Sequence, residues 1–210
     1  MLVVTNVPNA PNVLSVLNVS FKTSITMAIL TPLSQFILSF EGGFVNDPKD
    51  RGGATNRGVT IATWRAQGYD KDGDGDIDVD DLRLITAQDA TNIMRRNYWD
   101  RYRASDIRDQ SVANILVDWL WGSGKPAITL VQNMLCVKAD GIVGPKTIGA
   151  INARNGEILF SRIKERREKF LYNIVNNNPS QKRFLNGWLR RLNSINYGYM
   201  IDNYGKTITW

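Results

Sequence analysis

Apolar residues first recur at helical spacing from Thr31 onward: Leu33, Phe36, Ile37 and Phe40 share one face, with Thr31 as cap and Pro32 in the first turn. Gly42-Gly43 ends that helix. Residues 42–58, rich in Gly, Asn, Asp and Pro, are too polar and too broken for core, and a short element follows over Val59 to Gln67. Thr86 and Asp89 have capping-box spacing with Asp in place of the usual Glu, which predicts a helix running to about Trp99. Ser111 to Trp121 is strongly apolar, closed by Gly122, and reads as the central core helix. The segment Gly122-Ser-Gly-Lys-Pro126 is the expected hinge. Beyond it, Ile128 to Leu135 is helical, and Asp140 to Pro145 is a tight turn that launches another helix. Glu157 to Asn176 and Gln181 to about Ile195 are amphipathic helices. The pattern predicts an all-α fold with at most a short β element near residues 43–60.

Residues 1–26 differ in character, with short apolar fragments, no charge before Lys22 and no helical period. They are expected to form a poorly ordered extension, and Met27 is a candidate start of translation. They lack the clean basic, apolar and small-residue regions of a signal peptide. The sequence also has no apolar run of bilayer-spanning length.

Composition narrows the chemistry. The chain contains no His and one Cys in 210 residues, which excludes imidazole bases, Ser-His and Cys-His pairs and any intramolecular disulfide. Carboxylates, hydroxyls, Lys, Tyr or a hard metal ion must do the work. Net charge is +6, but residues 70–81 hold seven Asp and one Lys, giving −6 there and +12 elsewhere. From Lys125 onward fourteen Lys or Arg face five Asp or Glu, a cationic half suited to an anionic polymer such as nucleic acid, a membrane surface or a cell wall.

The acidic knot has the spacing of a calcium loop. Asp70, Asp72 and Asp74 occupy positions 1, 3 and 5, Gly75 position 6, Ile77 position 8, and Asp78 and Asp81 positions 9 and 12; Asp76 falls between Gly75 and Ile77. Alternate residues of a coiled loop turn oxygen inward, and Gly75 permits the sharp bend. Asp81 stands where the usual loop carries Glu, as in the dockerin variant. With Asp70, Asp72, Asp74, Asp76 and Asp81 as ligands, the expected role is a structural Ca²⁺ clip that orders an insertion; a solvated acidic turn is the alternative.

Glu occurs four times, and three of the four lie in the charged helix after residue 156. The fourth, Glu41, ends an apolar helix and faces a polar loop carrying Asp47, Asp50, Thr55 and Asn56. A helix C-terminus and an apolar neighbour both favour the protonated form of a carboxyl group. A general acid needs that form, and proton delivery to a leaving oxygen is the carboxylate chemistry of glycoside hydrolysis. Tyr98, Trp99 and Tyr102 could offer sugar platforms or fill core; Glu41 could equally be a solvated helix end.

The run Glu41-Gly-Gly-Phe-Val-Asn-Asp-Pro-Lys-Asp50-Arg-Gly-Gly-Ala-Thr55-Asn-Arg-Gly-Val-Thr60 resembles the signature of the glycoside hydrolase family 108 muramidases, a phage and prophage endolysin-like group. The likeness extends through Asn97-Tyr98-Trp99-Asp100 and the helix from Val112, covering about residues 27–200. It implies a lysozyme-like fold, hydrolysis of the β-1,4 bond between N-acetylmuramic acid and N-acetylglucosamine, and Glu41 as catalytic acid. Glu41, Asp50 and Thr55 also resemble the Glu, Asp and Thr triad of phage-type lysozymes, with the last interval one residue shorter. Asn56, Tyr98 and Trp99 are the expected substrate-binding residues. No cofactor is expected for the chemistry.

Val131-Gln132-Asn-Met-Leu135 with Asp140-Gly141-Ile-Val-Gly144-Pro145-Lys-Thr147 resembles the peptidoglycan-binding module that accompanies this family. The expected organisation is a catalytic domain over residues 27–124, with the loop insertion at 70–81, and a helical peptidoglycan-binding region over 125–210 packed on it. The expected partner of the monomeric chain is peptidoglycan rather than nucleic acid. Synthesis is expected in the cytoplasm, with action in the periplasm or cell wall after release, aided by a holin. A lytic transglycosylase using the same acid and a non-catalytic, calcium-stiffened wall-binding protein remain the alternatives.

Overall fold

Two hydrophobic cores of unequal size set the architecture of the computed structural model, which describes residues 27–46 and 53–210. The expectation for residues 1–26 lies outside the described residues. The larger core forms around α5 (Gln110–Ser123), in which every residue from Ser111 to Leu120 is buried. Asp109 caps its start by accepting the Val112 N–H at 3.0 Å, and Gly124, at φ +64°, ends it. Packed on or near α5 are α1 (Thr31–Phe40), α6 (Lys125–Met134), α7 (Pro145–Asn152), α8 (Gly156–Asn177) and α9 (Lys182–Asn193). Each fully buried Leu, Ile or Val there contributes about 1.5–3 kcal/mol.

The smaller core joins a two-stranded hairpin, β1 (Thr55–Asn56) and β2 (Val59–Thr60), to α2 (Ile61–Gln67), α3 (Val79–Leu84) and α4 (Ala87–Met94). Trp64, Leu82 and Ile93 fill it. Leu38 of α1 packs against both cores, so the end of α1 lies along their seam. Thr86 and Asp89 form the capping box expected at the start of α4. After Met94 the chain makes a π-helical turn over Arg95–Trp99, closed by the Asp100 N–H to the Arg95 carbonyl at 2.8 Å.

The fold is mainly helical, as the periodicity predicts. The structure adds a three-stranded antiparallel sheet, β3 (Ile195–Asn196), β4 (Tyr199–Ile201) and β5 (Thr207–Thr209), that the sequence pattern does not reveal. Strands of two or three residues are too short for alternation to be visible. Pairing of Ile195 with Met200 also explains why α9 stops at Asn193. The sheet returns to the first helix, where the Asn203 N–H donates to the Ser39 hydroxyl at 3.0 Å.

Candidate active site

Glu41 is the first residue past α1, in extended conformation (φ −83°, ψ 138°), with its N–H donating to the Ile37 carbonyl at 3.2 Å. Its side chain is partly exposed, and Oε1 accepts the Trp121 indole N–H at 2.9 Å. Trp121 comes from the last turn of α5 and packs against Tyr98 with ring centroids 4.6 Å apart. The β1–β2 turn closes the other side. Arg57 (φ +50°) and Gly58 (φ +77°) take the paired left-handed conformations of a tight hairpin, and the Arg57 N–H donates to the Gly42 carbonyl at 3.2 Å. A Cβ on Gly58 would lie 3.0 Å from the Glu41 carboxyl and 2.6 Å from the Trp121 ring. Only glycine lets the hairpin approach this closely.

A second carboxylate lies behind the first. Asp118, fully buried in α5, accepts from Arg191 Nη2 at 2.7 Å and Nε at 3.2 Å, and Arg167 Nη2 lies 2.8 Å from its other oxygen. Burial alone would raise the Asp118 carboxyl, but the Arg191 and Arg167 guanidiniums outweigh it and hold the group below its ordinary value. Arg191 also reaches forward, with Nη1 3.5 Å from Glu41 Oε1. Glu41, Arg191, Asp118 and Arg167 thus form one chain of alternating charge. Beside it opens a cleft of about 270 Å³, walled by Glu41 and Trp121 on one side and by Leu171, Ile174 and Trp188 on the other. A larger cavity of about 430 Å³ lies between Met27 and Trp210, but its carboxylate, Asp109, is committed to the α5 cap and to the Tyr197 hydroxyl.

The residues expected around Glu41 separate. Tyr98 is half-buried and reaches the site through Trp121. Trp99 is fully buried and its indole N–H donates to the Ser105 hydroxyl at 2.8 Å, so it is a core residue with no face for a sugar. Asn56 is also buried; its amide donates to the Leu82 and Arg83 carbonyls at 2.8 and 3.2 Å, tying the hairpin to α3 rather than facing substrate. Thr55, in β1, exchanges two backbone bonds with Val45 at 2.8 Å. Asp50 lies outside the described residues. Trp121, Arg167, Trp188 and Arg191 carry no sequence signal for the site and reach it only through tertiary packing. Gly58 was available inside the signature run.

Comparison with known proteins separates the chain into two successive parts. Residues 34–124 match the family model described as glycosyl hydrolase 108, and residues 126–193 match the model described as a predicted peptidoglycan domain. The chain is also similar to the solved structure of SagA from Brucella abortus, at 27% identity and a TM-score of 0.62, over 79% of this chain and 90% of that one. No curated protein matches. The chain is a glycoside hydrolase with a peptidoglycan segment behind it, and peptidoglycan is its polymer. Glu41, Trp121 and Asp118 lie in the glycosyl hydrolase 108 segment, whereas Arg167, Trp188 and Arg191 lie in the peptidoglycan segment.

The acidic loop also falls within the glycosyl hydrolase 108 segment. Its carboxylates gather in two adjacent groups, Asp70, Asp72 and Asp74, then Asp76, Asp78 and Asp81. Gly73 (φ +84°) and Gly75 (φ +101°) make the bends, and both donate N–H to Asp70, at 2.6 and 2.9 Å. Asp81 is buried and accepts backbone N–H groups from Lys71, Asp72 and Asp78, which hold its carboxyl below the ordinary value. Asp76 is pushed up by the charge of Asp74, with a smaller contribution from burial. Donor type and crowding both suit a hard divalent cation.

Proposed function

We propose that this glycoside hydrolase cleaves the β-1,4 bond between N-acetylmuramic acid and N-acetylglucosamine, with Glu41 as general acid. The observation that carries the reading is the placement of Glu41: a partly exposed carboxyl at the lip of a cleft, fixed in direction by the Trp121 indole and confined by the Gly58 turn. A carboxyl held in one orientation can deliver its proton along a single line to a leaving oxygen. Asp50 and Thr55 are proposed to manage the water or intermediate on the opposite face of the sugar. Action follows release from the cytoplasm into the cell wall.

Glu41→Gln keeps the shape and removes the proton. Clearing of purified walls should fall by ~10²-fold or more while the thermal midpoint holds. Product mass then separates hydrolysis, which adds water, from transglycosylation, which closes an anhydro ring without it. Full activity in the variant would sink the assignment, and anhydro products would replace the hydrolase by its rival.

We further propose that Asp70, Asp72, Asp74, Asp76 and Asp81 hold a structural Ca²⁺. The support is the position-by-position loop spacing and the crowding of like charges that a cation would relieve. The ion would stiffen the insertion and take no part in the chemistry.

A further inference from the structure

The cleft beside Glu41 draws its walls from both segments. On the peptidoglycan-segment side, Leu171, Ile174 and Trp188 give an apolar wall with an aromatic face, suited to the flat apolar side of a sugar ring. Two guanidiniums stand next to it. Arg167 is more than nine-tenths buried, lines the cleft, and has no hydrogen-bond partner for Nε and Nη1 among the described residues. Arg191 is held by Asp118 through Nε and Nη2, which leaves Nη1 directed to Glu41.

Charge decides what this wall can take. With Glu41 ionised the two carboxylates balance the two guanidiniums. With Glu41 carrying the proton that a general acid donates, Asp118 alone faces Arg167 and Arg191, and one positive charge is left beside an apolar cleft. An uncompensated charge in such a place is costly, and a ligand carboxylate is the group that removes the cost with best geometry. We propose that this cleft is a subsite for an acid-bearing sugar ring, seated against Trp188 with its carboxylate on Arg191 and Arg167. The proposal rests on the reading of Glu41 as general acid. The wall-binding segment then supplies part of the active site itself. The carboxylate has two sources in peptidoglycan, the lactyl ether of the muramic acid ring and the stem peptide attached through it.

Glu41→Gln, neutral and inactive, is the protein to use for binding. Calorimetry would compare a peptide-free muramic acid oligosaccharide with its lactyl carboxyl intact, the same oligosaccharide with that carboxyl reduced to the alcohol, and a glycan strand bearing stem peptides. Binding of the intact over the reduced oligosaccharide should be about tenfold tighter, as expected for a charge-assisted contact. Adding Arg191→Gln should abolish that preference, and Trp188→Ala should weaken all three ligands. Preference for the peptide-bearing strand alone would assign the carboxylate to the stem. Equal binding of all three ligands would overturn the proposal, and that comparison needs no second substitution to fold. Product release by the parent protein separates the two levels: release with carboxylate-indifferent binding removes only this subsite, whereas no release from any wall removes the reading of Glu41.

Discussion

Around Glu41 and Asp118, negative charge is met by guanidinium groups from α8 and α9, whereas from Asp70 to Asp81, apart from the exposed Asp80–Arg83 pair, it is met by backbone N–H groups and by more carboxylates. The first arrangement is assembled across the chain; Asp118 and Arg191 are 73 residues apart. The second is complete within one loop. Long-range pairing brings guanidinium groups to both carboxyl groups and, with the Trp121 indole, fixes the direction of the Glu41 side chain. Local crowding sets like charges side by side, the deficit that the proposed Ca²⁺ would relieve.

The largest effect should come from Asp118→Ala. It leaves two largely buried guanidiniums without their shared partner, and loss of about 3–5 kcal/mol is expected in denaturant unfolding. A loss below 1 kcal/mol would mean that the charge chain is not what joins α5 to α8 and α9. Calcium comes next: at a hundredfold excess over its dissociation constant it should stabilise the protein by about 2.7 kcal/mol, read as a raised thermal midpoint that a chelator reverses. Asp72→Asn combined with Asp74→Asn should remove that response, and a midpoint indifferent to calcium in the parent would end the metal reading.

Gly58→Ala should cost about 1–3 kcal/mol through its positive φ and the contact with Trp121. Clearing activity should fall further than stability explains, on the order of ten- to a hundredfold, because the Glu41 carboxyl must shift. The smallest effect is at Asp89. Burial would raise its carboxyl, but hydrogen bonds from the Thr86 backbone and hydroxyl and from Lys71 hold it at about 2, below the ordinary 3.8. A depressed folded value means that its contribution is complete above pH 4 and is lost as pH falls toward 2. Asp118 acts in the same direction. Thermal midpoints followed downward from pH 5 should therefore fall, and Asp89→Asn should flatten part of that slope at a cost near neutrality of about 1 kcal/mol.

The same contrast explains what could be read from the sequence. Helices α1, α4 and α5, the Thr86–Asp89 cap and the acidic loop are legible because their determinants sit within a few turns of one another. Glu41 stands out in the sequence because the other three Glu residues lie in the charged helix after residue 156, whereas it sits between an apolar helix and a Gly pair. Its surroundings were not. Trp121 reads as one more apolar residue of α5, and Arg191 as one more surface charge of an amphipathic helix, until folding brings both to the same oxygen. Trp99 misleads for the converse reason. Adjacent to Tyr98 in sequence, it points into core while Tyr98 turns toward Trp121, and composition carries no sign of which way each ring faces.

The bond between Ser39 and Asn203 spans 164 residues. It fastens the last sheet to the helix that delivers Glu41, so that helix gains its final neighbours only after a closure embracing most of the polypeptide. Closing so long a loop costs entropy before any contact rewards it, and contacts of this separation slow folding. Refolding should therefore restore helical signal early and wall-clearing ability late, with catalytic competence arriving as the final step of maturation.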